Sequence, residues 1–186
     1  MKNANAEAIL GSLAYVLQHI DGLQWACELL QTPPSSHETT VSVGERTVRH
    51  PGFRPVTNAL VEAGIMACRR SINFLGIRVH PTSGELDVVN SRRPDDAGIE
   101  QLALSKVGVD ELTAAPPGPP DRTKVACERI LRAADKGVAH LTVDRGERAF
   151  SDDLLVCTLA TQWAVERFVY NRLGVDMPAY RKWTAA

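Results

Sequence analysis

An all-α bundle of four or five helices, with one or two short β-hairpin-like loops, is the fold that this sequence predicts. Three observations carry that prediction. Apolar residues recur at spacings of three and four through four long segments, the period of a helix with one buried face. Pro33-Pro34, Gly76, the 115–120 proline run and Gly174 punctuate those segments, leaving connectors that let neighbouring helices run antiparallel. The chain has 186 residues, 44% hydrophobic and 23% charged, which suits a single globular domain spanning 1–186. Its net charge of −1 argues against a generic basic nucleic-acid coat and against an acidic tail, while leaving room for a local patch.

The first helix is marked by Ile9, Leu13, Val16 and Ile20. Leu23, Cys27 and Leu30 carry the stripe past Asp21-Gly22, and Pro33 ends it by excluding the helical conformation for its predecessor. A polar loop, 35–54, follows, within which Thr40–Val43 and Arg46–Arg49 flank Gly44-Glu45 as a small hairpin. Pro55 suits the first turn of the second helix, whose seam is Val61, Ile65, Cys68, Ile72 and Leu75, with Glu62, Arg69, Arg70 and Asn73 on the opposite face. That seam serves either the core or a dimer face, with the core as the default. Gly76 ends the helix, and Ile77–Val79 with Leu86–Val89 bracket a second hairpin or ordered loop. Residues 94–112 read as one or two short helices capped by Asp95 or Asp96, and 113–120 as a stiff proline-rich connector. Asp121 caps a third long helix with the stripe Cys127, Ile130, Leu131, Ala134, Val138 and Leu141. Ser151-Asp152-Asp153 starts a fourth, apolar nearly all round from Leu154 to Val165 and therefore central, which Gly174 stops. Trp25 and Trp163 read as core or interface residues, and Tyr180 and Trp183 as a tail that folds back.

The N-terminus has neither the continuous apolar core nor the cleavage site of a secretory signal, and no run is long enough to span a bilayer. Cys27, Cys68, Cys127 and Cys157 fall one per helix with no Cys-x-x-Cys pair, so they read as reduced, buried core residues; a zinc site would need the four helices to converge. A cytoplasmic protein without a membrane contact is the expectation. Phosphate loops, dinucleotide fingerprints, nucleophile elbows, zincin helices and the Glu-x-x-His di-iron motif are all missing from the sequence, so no cofactor and no metal are expected.

Two constellations remain. In Ala133–Thr142, His140 has Lys136 four residues before it and Asp144 four after, with Asp135 and Arg132 further back. A histidine between a base and an acid is suited to general acid–base work near neutrality. The same residue at a helix C-terminus is equally a cation favoured by the helix dipole, with Thr142 bonding a freed carbonyl. The second constellation is basic: Arg69-Arg70, Arg78 and Arg92-Arg93, with Arg145 and Arg148 elsewhere. If these converge they hold a phosphate backbone; otherwise they form a solvated face balanced by Asp87, Asp95 and Asp96.

The Lys136-Gly-Val-Ala-His140-Leu-Thr142 string, late in an all-α domain and followed by a long apolar helix, resembles the HEPN superfamily of helical bundles. In its active ribonucleases an arginine precedes, by four to six intervening residues, a histidine that acts on the ribose 2′-hydroxyl chemistry, and two copies meet across a dimer. The resemblance implies His140 as acid/base, Arg132 or Lys136 as phosphate contact and Asp135 as orienting group. Here seven residues separate Arg132 from His140, one more than the motif permits. Lys136 is nearer but lacks the planar fork that grips phosphate in a bidentate manner. A homodimeric, metal-independent ribonuclease, or an inactive relative, is thus one expectation, with Arg69, Arg70, Arg145 and Arg148 contacting RNA. A non-catalytic, antitoxin-like module that binds a partner protein is the other.

Overall fold

The first apolar stripe forms α1, Ala4–Gln31, a rod of 28 residues and thus about 42 Å at helical rise. Neither Gly11 nor Asp21-Gly22 breaks it, because tertiary contact holds it straight. Gly22 lies against Leu60, and Gly64 lies against Leu23. The computed structural model describes residues 4–31, 39–50, 52, 54–93, 96–116, 118–135 and 148–178. Within them the expected mainly α architecture is present.

Helix α2, Arg54–Leu75, runs antiparallel to α1 and is its main partner. All five residues of its seam, Val61, Ile65, Cys68, Ile72 and Leu75, are buried in the core. The approach of the two helices is close enough that a Cβ at Gly64 would lie 2.2 Å from that of Leu23, so only glycine fits there. Between α1 and α2, the polar segment contains the expected hairpin, β1 Thr39–Val43 paired antiparallel with β2 Arg46–His50. Gly44 takes φ +60° at its turn, the left-handed conformation such tight turns demand. A second hairpin pairs β3, Ile77–Val79, with β4, Leu86–Val88. Ile77 and Leu86 anchor it to the core.

Two short helical pieces follow, a 3-10 turn at Ile99–Leu102 and α3 at Val109–Thr113. The 3-10 turn opens at Gly98, not at an aspartate cap, and the Asp96 carboxylate instead accepts the Arg93 amide at 3.4 Å. Asp95 lies outside the described residues. The third long helix, α4, spans Pro120–Asp135 and begins one residue before the expected cap. Pro120 takes the first helical position, where its fixed φ helps and its missing N–H costs nothing. The Pro119 carbonyl then receives the Thr123 amide at 3.1 Å. Cys127, Ile130, Leu131 and Ala134 are buried as predicted; Val138 and Leu141 lie outside the described residues.

The last long helix, α5, spans Arg148–Val165, so Ser151-Asp152-Asp153 sits inside it and does not start it. Asp153 is buried and receives hydrogen bonds from Arg122 and, at 2.7 Å, from Arg129. This buried carboxylate between two guanidiniums of α4 ties the two helices together, which fixes where α5 enters the bundle. Leu154, Cys157, Ala160, Ala164 and Val165 are buried, and α5 touches α1, α2, α3 and α4, the central place expected of it. Its two interior threonines, Thr158 and Thr161, bond back to the carbonyls of Leu154 and Cys157, so neither hydroxyl is left unsatisfied. The helix runs on through a π turn, Glu166–Tyr170, into α6, Asn171–Leu173, and stops at Gly174 with φ +64°. Trp163 is half-buried, edge-on to Phe168, with the Arg167 guanidinium over its ring. Trp25 is half-buried on α1; Tyr180 and Trp183 lie outside the described residues.

All four cysteines are free thiols with no exposed surface. Burial, then the neighbouring Cys68 and Glu28, push the Cys27 thiol up to about 12 from 9.0. Contact with Cys127 raises Cys157, and contact with Cys157 raises Cys68. No helix among the described residues is long and apolar enough to cross a membrane.

Two measurements test this core. Gly64→Ala should lower the unfolding free energy by about 1–3 kcal/mol in urea titration, because overpacking against Leu23 outweighs the roughly 1 kcal/mol gain in helix propensity. Thermal melts should hold constant through neutral pH and fall as pH rises from 9.0 toward about 12. In that window the unfolded chain releases thiol protons that the folded chain keeps, so the native state loses ground. Cys27→Ala should make the decline shallower.

Candidate functional site

One face of α2 is polar and turns away from the core seam. Its Arg69, Arg70 and Asn73 border a cleft of about 800 Å³ that is also lined by the N-terminal half of α1. Ile9, Leu13 and Val16 make that wall apolar, and Phe74 and Val79 extend it. The β3–β4 hairpin and the segment after it complete the rim with Arg78, Arg92 and Arg93. Five guanidiniums thus share one cleft with two carboxylates, Asp96 and Asp135. A cleft of that size suits a small organic molecule or a short stretch of polymer.

The arginines arrive there because of how α2 ends. The last carbonyls of a helix have no partner within it. Arg92 Nη2 donates to the Asn73 carbonyl at 2.6 Å and to that of Phe74 at 3.1 Å. The Val107 amide satisfies Leu75 at 2.9 Å, and the Val89 amide satisfies Gly76 at 2.8 Å. Lys106 Nζ adds a bond to the Val89 carbonyl at 2.6 Å. Cations at a helix C-terminus also meet the negative end of the helix dipole. The same closure folds residues 77–107 back over the end of α2, bringing Arg78 and Arg93 beside Arg69 and Arg70.

The five guanidiniums are not equally engaged. Arg69 Nε pairs with Asp135 at 2.7 Å. Arg92 Nε stands 3.5 Å from Glu100, an ion-pair distance without hydrogen-bond alignment. Burial raises the Glu100 carboxyl, but its own backbone amide, Arg92 and Lys106 together outweigh this and lower it. Arg78 reaches its cross-strand neighbour Asp87 only at 3.8 Å, and its buried Nε has no hydrogen-bond partner. Among the described residues, the side chains of Arg70 and Arg93 have neither an ion pair nor a hydrogen bond, and both are exposed. On the floor of the cleft, the Ser71 hydroxyl is buried and unpartnered.

Of the residues singled out from sequence, Arg69 and Arg70 are brought together here, and Asp135 joins them as the Arg69 partner. Arg132 bonds its own helix through the Glu128 carbonyl at 3.2 Å, and its guanidinium packs on Gly84. His140, Lys136 and Arg145 lie outside the described residues, and Arg148 is the first residue of α5. The cleft's α1 wall and Ser71 went unmarked in the sequence reading, since they carry no chemical signal until α1 and α2 are paired. Among the described residues no group of three His, Cys, Asp or Glu side chains is placed to hold a metal ion. Compared with family models, curated proteins and solved structures, the chain matches none.

The closure of α2 has a measurable weight. Arg92→Ala removes two charge-assisted bonds and should cost about 2–3 kcal/mol in chemical unfolding. Arg93→Ala, at an exposed and unpaired position, should change stability by less than about 0.5 kcal/mol.

Proposed function

We propose that this chain is a HEPN-like, RNA-directed helical module that grips phosphates through its arginine-lined cleft. The supporting observation is the convergence of Arg69, Arg70, Arg78, Arg92 and Arg93, from three separate parts of the chain, on one cleft that they share, among the described residues, with the carboxylates of Asp96 and Asp135. A face balanced by its own acids would pair each guanidinium, whereas Arg70 and Arg93 are left without partners among the described residues. Guanidinium planes suit both the bidentate grip on phosphate and stacking under a base. In this reading His140 supplies acid–base chemistry on the ribose hydroxyl, and a homodimer brings two copies of it together. Arg132, Lys136 and Arg145 flank that histidine in the chain. The alternative, a partner-protein module, draws less support: among the described residues the large exposed apolar side chains, Tyr15, Val48, Val125 and Val175, come from four different parts of the chain.

Titration of a labelled single-stranded RNA at several salt concentrations tests the reading. With about three phosphates held, log K should fall with log salt at a slope of about −2, since each contact on a single strand contributes about −0.7. Arg70→Ala and Arg93→Ala should each make that slope shallower by about 0.7. Cleavage assays in EDTA with His140→Ala alongside decide the chemistry. Cleavage lost in the variant establishes a metal-independent ribonuclease, and binding without cleavage establishes an inactive relative. No RNA binding at all replaces this reading with the partner-protein module.

A further inference from the structure

The cleft has a second half that a phosphate backbone does not use. Besides the arginines, the cleft is lined by Ile9, Leu13 and Val16 of α1 and by Phe74 and Val79. Ser71 also lines the cleft; the residue is 1% exposed and its hydroxyl has no hydrogen-bond partner among the described residues. The Arg78 Nε is likewise buried and unpartnered. Leaving such groups unpaired is unfavourable, and ligand oxygens that accept from them relieve it. Cationic and apolar side chains lining one cleft of about 800 Å³ suit a molecule with two unlike ends.

We infer that the cleft is a binding site for an amphiphilic organic anion: a phosphate or carboxylate head group on an apolar or aromatic body. The head group is received by Arg70, Arg78 and Arg93 and by the Ser71 hydroxyl, and the body lies along the α1 wall. Arg92 stays with the carbonyls of Asn73 and Phe74 and serves to position the rim. Arg69 is held by Asp135, whose carboxylate repels the incoming anion and competes with it for that guanidinium. The site therefore accepts anions more readily once Asp135 is neutralised. This inference goes beyond the RNA reading and does not depend on it, since a small ligand fills the cleft without a polymer.

The test is calorimetric titration of the full chain with 1-naphthyl phosphate, against 1-naphthoate, 1-naphthol and inorganic phosphate. One molecule per chain is expected, bound at least about tenfold more tightly than 1-naphthol or inorganic phosphate, because only the joined molecule uses both walls. The comparison of phosphate with carboxylate on the same ring system identifies the preferred head group. Arg70→Ala and Arg93→Ala should each weaken binding by about tenfold, the usual worth of a charge-assisted bond. Ser71→Ala should weaken it while raising the melting temperature of the free protein, because it deletes a buried unpaired hydroxyl, and Asp135→Asn should strengthen it. Binding of 1-naphthyl phosphate no tighter than that of its two halves would overturn the inference, as would binding indifferent to the Arg70→Ala/Arg93→Ala double variant. Labelled RNA titrated on the same samples separates the two ideas. RNA bound without 1-naphthyl phosphate removes this inference alone, and the reverse removes the RNA reading alone.

Discussion

The C-terminus of α2 is the constraint on which the rest of the structure depends. A buried helix end leaves carbonyls that cannot stay unpaired. Here Asn73, Phe74, Leu75 and Gly76 are each met by a group from further along the chain: Arg92, the Val107 amide and the Val89 amide. Because those donors lie 13 to 32 residues downstream of the carbonyls they satisfy, pairing them sets the path of the chain between them. The second hairpin, the 3-10 turn and Lys106 take their positions from that closure. So does the arginine cleft, which is a consequence of how one helix is terminated.

The helical core solves a different problem, that of bringing four cysteine-bearing helices close together. Small residues make this feasible: Gly64 lets α1 and α2 approach, and the cysteines fill space that larger side chains would overfill. The Cys27, Cys68 and Cys157 thiols are held neutral by burial and by neighbouring cysteines. On the far side, Asp153 joins α4 to α5 through Arg122 and Arg129. The arginines of this chain therefore divide by what surrounds them. Those at Asp153 are spent on structure, Arg92 on a helix end, and Arg70, Arg78 and Arg93 keep donors unpaired among the described residues at the cleft.

That division explains why Asp135 matters. It was singled out beside His140 in the sequence, yet its carboxylate meets Arg69 across the bundle at 2.7 Å. A carboxylate at the rim lowers the positive potential of the cleft and keeps one guanidinium occupied, a built-in competitor to any anion. Nearness in sequence to a histidine did not reveal this contact, because Arg69 is on another helix.

What the sequence determined by itself was the local order of the chain. Periodicity marked the buried stripe of each helix, including the full seam from Val61 to Leu75, since a helical period of apolar residues has one way to be buried. Both hairpins were legible from turn chemistry at Gly44-Glu45 and around Gly84. Helix starts were less so: Pro120 precedes the cap that Asp121 suggests, and Arg148 precedes the one at Ser151-Asp152-Asp153, where Asp153 bonds Arg122 and Arg129 of α4. The candidate site was legible only in part. Arg69, Arg70, Arg78, Arg92 and Arg93 were visible as a basic set, but whether they converge or disperse depends on long-range hydrogen bonds that leave no periodic signature. Only the tertiary structure decided that they share a cleft, and that α1 supplies its apolar wall, because satisfying the buried carbonyls of α2 leaves that segment of chain nowhere else to go.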